Sequence, residues 1–90
     1  MTTKLTARQL QLLVSYADPT RKVGHLPPAL QEACDTAKAH SVRRWAAWQA
    51  GALRSLAVLS RRGLVTVGRP GFELERASLT VRGHQVAADA

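Results

Sequence analysis

The sequence predicts a single, mainly α-helical domain with a three-helix core, one small β-hairpin and a short C-terminal helix. Three observations carry this. The stretch from Ser41 to Val67 reads as one long helix, stopped by Gly63 and followed at once by the β-branched run Leu64-Val65-Thr66-Val67. Two earlier segments repeat apolar residues at helical spacing. Finally, Gly68-Arg69-Pro70-Gly71 is a turn by composition and separates two short apolar runs.

Taken in order, Met1 to Lys4 reads as a loose end. Thr6 and Gln9 have capping-box spacing, so a helix starts near Ala7. Leu10, Leu13, Val14 and Ala17 form its expected apolar stripe, and Asp18-Pro19 ends it. Asp18 to Leu26 is a basic loop in which Val23 offers a short edge strand. Leu26-Pro27-Pro28 sets proline in the first turn of a second helix, whose expected buried stripe is Leu30, Ala33, Cys34 and Ala37. Ser41 then caps the long helix, with a break near Gln49 to Gly51 as the alternative. The hairpin pairs Leu64–Val67 with about Glu75–Leu79. Thr80 caps a last helix over about Val81–Ala87, in which Gly83 is a weak point.

On a helical wheel the long helix has two faces. Trp45, Ala46, Ala50, Leu53, Leu56, Ala57 and Leu59 fall on the expected core side. Arg43, Arg44, Ala47, Gly51, Arg54, Ser55 and Arg62 fall opposite. The second face is basic, with small residues between its arginines, so a helix presenting it can approach a polyanion closely.

Charge supports the same direction. The chain has 13 Lys and Arg against 6 Asp and Glu, a formal net charge of +7, and the excess is uneven. From Thr36 to Phe72 there is no carboxylate, while Lys38, Arg43, Arg44, Arg54, Arg61, Arg62 and Arg69 all lie there. Such asymmetry points to a polyanionic partner rather than a uniformly solvated surface. The apolar runs are too short for a membrane span, and no signal-peptide core opens the chain. The lone Cys34 excludes an internal disulfide and fits a reducing cytoplasm. His25, His40 and His84 have no ligand spacing, so neither a metal nor another cofactor is expected. No paired acid and base, no phosphate loop and no nucleophile–histidine arrangement is visible, so catalysis is not expected.

The segment Ala52 to Val65, A-L-R-S-L-A-V-L-S-R-R-G-L-V, followed by a turn and by L-T-V-R-G at Leu79 to Gly83, resembles the winged helix-turn-helix DNA-binding family of bacterial and phage regulators. The resemblance covers roughly Leu5 to Ala88. Ser41 to Gly51, with its two tryptophans, departs from the family by being longer and more aromatic, and leaves the start of the recognition helix open.

The resemblance implies that the third helix enters the major groove of double-stranded DNA with its N-terminal half. Arg44, Trp48, Gln49, Gly51, Arg54 and Ser55 lie there; Arg54 suits guanine and Gln49, nearer the core side, suits adenine. The hairpin, as the family's wing, assigns Arg69 and Arg76 to backbone or minor groove. Arg21, Lys22, Lys38 and Arg43 are implied phosphate contacts. The resulting expectation is a repressor-like transcription regulator on the nucleoid, homodimeric through the first helix with Leu12, through Val86–Ala90, or through Trp48. A recombination directionality or immunity factor of a mobile element uses the same chemistry. A winged-helix protein-interaction module is the reading of a different class, favoured by Trp45 and Trp48; RNA binding is a weaker third. Trp45 is expected in the core, whereas Trp48 is equally suited to core, dimer and DNA contact.

Overall fold

Thr6 closes the first turn of α1 (Ala7–Tyr16) reciprocally: its Oγ1 accepts from the Gln9 amide at 3.1 Å and its own amide donates to Gln9 Oε1 at 3.0 Å. Pro28 opens α2 (Pro28–His40) in the position where its missing N–H costs nothing. Ser41 is the one-residue joint between α2 and α3 (Val42–Arg61), and its Oγ accepts from the Arg44 amide. The computed structural model describes residues 4–22, 24–68 and 74–90. Val23 therefore lies outside the described residues, as do residues 69–73, Arg69 among them.

α3 is continuous over 20 residues, so the alternative break near Gln49 to Gly51 does not occur. It ends on Gly63, at φ 73°. There the Leu64 amide reaches back to the Leu59 carbonyl and the Gly63 amide to that of Ser60, both at 3.0 Å. Leu59 and Leu64 are thereby both delivered to the core.

The hairpin is shorter than expected. β1 (Val65–Thr66) pairs antiparallel with β2 (Ser78–Leu79), Val65 opposite Leu79 and Thr66 opposite Ser78. Leu74–Arg76, expected to begin at Glu75 as strand, is instead a 3-10 turn. The cause is burial: Leu74 and Ala77, three apart, are both inside, at 4% and 0% exposure. A 3-10 turn puts such positions on one side, whereas a strand would send them to opposite faces. Thr80 caps α4 (Val81–Ala88), as its spacing to Gly83 requires.

The described chain is thus mainly helical with a small two-stranded antiparallel sheet. α1, α2, α3 and the hairpin enclose Leu12, Leu13, Tyr16, Leu30, Leu56, Leu59, Leu64, Val65, Leu74 and Ala77. Leu13 and Leu59 are fully enclosed, and each such burial is worth about 1.5–3 kcal/mol. No described helix is long and apolar enough to cross a membrane.

The expected stripe of α1 is corrected. Leu12, Leu13, Ser15 and Tyr16 face inward, while Val14 is 42% exposed. Two neighbours set this rotation. Leu12 and Ser15 of α1 line one groove with the small residues Gly51 and Ser55 of α3. The Tyr16 hydroxyl donates to the Leu74 carbonyl at 2.6 Å. Burial pushes the Tyr16 hydroxyl pKa well above its ordinary value, against the opposing pull of the Arg21 guanidinium. Leu12, being buried, is not available as a dimer contact. The α2 stripe follows expectation, with Leu30 and Cys34 buried and Ala33 and Ala37 half-buried. Between α1 and α2, Asp18 accepts from the Thr20 amide and hydroxyl at 2.8 and 2.7 Å. These bonds hold its carboxyl below the usual range.

Candidate nucleic-acid interface

α3 has a basic, small-residue face, but rotated from the one on the wheel. Arg43, Ala46, Ala47, Ala50, Arg54, Ala57 and Arg61 are all exposed. Six of them, without Ala46, step along the helix by alternating fours and threes, the spacing that keeps positions on one side. The stripe runs about 27 Å at 1.5 Å per residue. The alanines leave the backbone thinly covered between the arginines. The opposite side holds Trp48, Gly51, Ala52, Ser55, Leu56 and Leu59, with Gly51, Ser55, Leu56 and Leu59 buried.

Gly51 and Ser55 are therefore corrections: both are buried on the side of α3 toward α1 and are not displayed on the exposed stripe. A helical wheel ranks side chains by polarity, and glycine, serine and alanine weigh little in it. Here α1 lies on the side of α3 that carries Gly51 and Ser55, across a groove that both helices line. A Cβ on Gly51 would lie 3.6 Å from Nη1 of Arg8, so Arg8 spans the crossing. Ala46, Ala50 and Ala57, expected in the core, are instead exposed.

The remaining expected contacts fall into separate places. Arg43 and Arg54 lie on the stripe. Arg44 is exposed but turns toward α2, where it lines a shallow groove with Trp48, His40 and Glu32. Gln49 and Trp48 are half-buried, and Trp48 packs against the core. Trp45, expected inside, is half-exposed and absent from the core cluster; the Lys38 ammonium lies over its ring at 5.3 Å. Lys38 itself is exposed, as are Lys22 and Arg76.

Arg21 is the second correction, because its guanidinium is committed within the fold. Nη2 donates to the Glu75 carbonyl at 2.8 Å and Nε to the His25 carbonyl at 3.2 Å, and the group lies 4.9 Å from the Tyr16 ring centroid. It ties the loop after α1 to the turn before β2. Two further basic residues belong here that the sequence does not single out: Arg61, counted above only within the carboxylate-free stretch, and Arg8. The four-three spacing from Arg43 through Arg54 to Arg61 was the signal available for the first; for Arg8 the sequence carries none, since its position depends on how α1 crosses α3.

Among the described residues no cluster of three His, Cys, Asp or Glu side chains could hold a metal ion. Comparison with known proteins returns nothing: no family model fits the chain, and no curated protein or solved structure matches it.

Proposed function

We propose that this chain binds double-stranded DNA as a winged helix-turn-helix module and acts as a repressor-like transcription regulator. The observation that supports this most is the exposed arginine–alanine stripe of α3, in a segment free of carboxylates. A helix with so little side-chain bulk can seat deeply in the major groove, with Arg54 toward a guanine edge and Arg43 and Arg61 on phosphates at either end. The order of three helices, a two-stranded sheet and a fourth helix suits the winged arrangement, with Arg69 and Arg76 of the hairpin directed to backbone or minor groove. Lys22 and Lys38 add exposed positive charge. One copy would contact about as much DNA as a single small module, so binding as a homodimer on paired half-sites is part of the proposal. Val86–Ala90 and Trp48 remain the dimer surfaces.

The test is selection of bound duplexes from a random pool, followed by anisotropy titration of the enriched sequence and a scrambled control. Enrichment of a defined motif supports the reading. A winged-helix protein-interaction module is the second reading, favoured by the same exposed alanines, which also permit close packing of a partner helix. No duplex binding, with a protein partner held at an affinity that salt does not change, would favour it.

A further inference from the structure

Beside the stripe, with Ala47 at its edge, α1, α2 and α3 line a groove of about 540 Å³. This is within the range of small-molecule sites. Its walls are Leu12, Leu30, Ala33, Ala52 and Trp48, so its body is apolar. Two polar features stand out in it. Ser55 is only 8% exposed, lines the groove, and its hydroxyl makes no hydrogen bond among the described residues, although Ser15 across the groove satisfies its own by donating to the Gln11 carbonyl. A buried hydroxyl left without a partner is costly, and native folds leave few of them. One helical turn before Ser55, two guanidinium groups converge on Gly51: Arg8 Nη1 and Arg54 Nη2 come within 3.6 and 4.0 Å of where its Cβ would be. Among the described residues no carboxylate lines the groove beside them. Two like charges drawn together over one small residue, beside an unsatisfied hydroxyl, describe half of an anion site.

We infer that this groove binds a small aromatic carboxylate. The carboxylate lies over Gly51, accepting from Arg8 and from the Ser55 hydroxyl. The ring extends toward the N-terminal end of α3 between Trp48 and the Leu30–Ala33 wall. Arg54, whose stem rises from the exposed stripe, contributes charge from the rim. The groove adjoins the stripe: Ala47 lines it and Arg54 reaches its rim, so the site shares this stretch of α3 with the proposed DNA contact.

The experiment is an amide and indole NMR titration of the whole chain with 2-naphthoate, and with 2-naphthalenemethanol as the neutral counterpart. Saturable shifts are expected at Arg8, Ala33, Gly51, Ser55 and the Trp48 indole, with naphthoate binding about tenfold more tightly than the alcohol, as for a charge-assisted hydrogen bond. Arg8→Gln is expected to abolish that tenfold preference while leaving the alcohol unaffected. Ser55→Ala is expected to weaken naphthoate several-fold without lowering the melting temperature. Non-saturable shifts, equal affinity for acid and alcohol, or indifference to both substitutions would overturn the assignment. So would a loss of duplex affinity in Arg8→Gln with naphthoate binding unchanged, because Arg8 and Arg54 would then be a phosphate clamp.

Discussion

The α-carbon of Gly83 faces the carbonyl oxygen of Leu64 so closely that a Cβ built on it would overlap that oxygen. The same carbonyl accepts from the Thr80 amide at 3.1 Å, while the Thr80 hydroxyl donates to the Gly63 carbonyl at 2.7 Å and accepts from the Gly83 amide at 3.0 Å. The two halves of the sequence signature, Arg-Gly-Leu-Val and Leu-Thr-x-x-Gly, are therefore one contact. Thr80 caps α4 and ties it to the end of α3, and Gly83 lets α4 lie against the start of β1.

Gly83→Ala should destabilise. Helix propensity alone would favour alanine by about 1 kcal/mol. The clash is with backbone, which must shift, so a net loss of about 1–3 kcal/mol is expected. At about 4–8 °C per kcal/mol for a domain of this size, thermal denaturation resolves it easily. A melting temperature at or above that of the parent would show that α4 does not pack there.

Gly51→Ala should do the opposite. Gly51 is also helical and buried, but its Cβ would meet only the ends of two arginine side chains, at ordinary contact distance. The expected gain is about 0.5–1 kcal/mol. A loss would indicate that α1 crosses α3 more tightly than described.

Arg21→Gln separates a structural arginine from a DNA contact. Two hydrogen bonds and the Tyr16 ring hold this guanidinium, so about 1–2 kcal/mol of stability should be lost. Duplex affinity, measured well below the melting point, should hardly change. Unchanged stability with weakened binding would restore Arg21 to the interface.

Tyr16 makes stability fall in alkali. Its folded pKa is raised by burial, so the unfolded chain loses this proton first as the pH climbs past the ordinary value of 10.0. The contribution is complete below that value and disappears progressively above it. Urea midpoints at pH 8 and pH 10.5 should drop further in the parent than in Tyr16→Phe. Parallel drops would mean that the hydroxyl is solvated.

The sequence disclosed most of the element order because local chemistry set it. Thr6, Ser41 and Thr80 cap helices through bonds three residues away, and Gly63 stops α3 through its own backbone. Facing was harder to read, because it depends on distant partners. The side of α1 that is buried follows from Tyr16 reaching Leu74, 58 residues on. The basic character of α3 was legible, but its angle was not. Alanine is indifferent to burial, so Ala46, Ala50 and Ala57 could sit on either side until α1 and α2 packed against α3.

The most direct test of the stripe is the salt dependence of duplex binding by the parent chain and by a triple variant, Arg43→Gln, Arg54→Gln and Arg61→Gln. Each phosphate contact removed should make the slope of log K against log salt shallower by about 0.9. With Arg54 on a base edge, the slope should fall by about two such steps while overall affinity drops by at least about 100-fold, with no change in melting temperature. A triple variant that binds the same duplex with the parent's affinity and slope would contradict the placement of α3 in the groove.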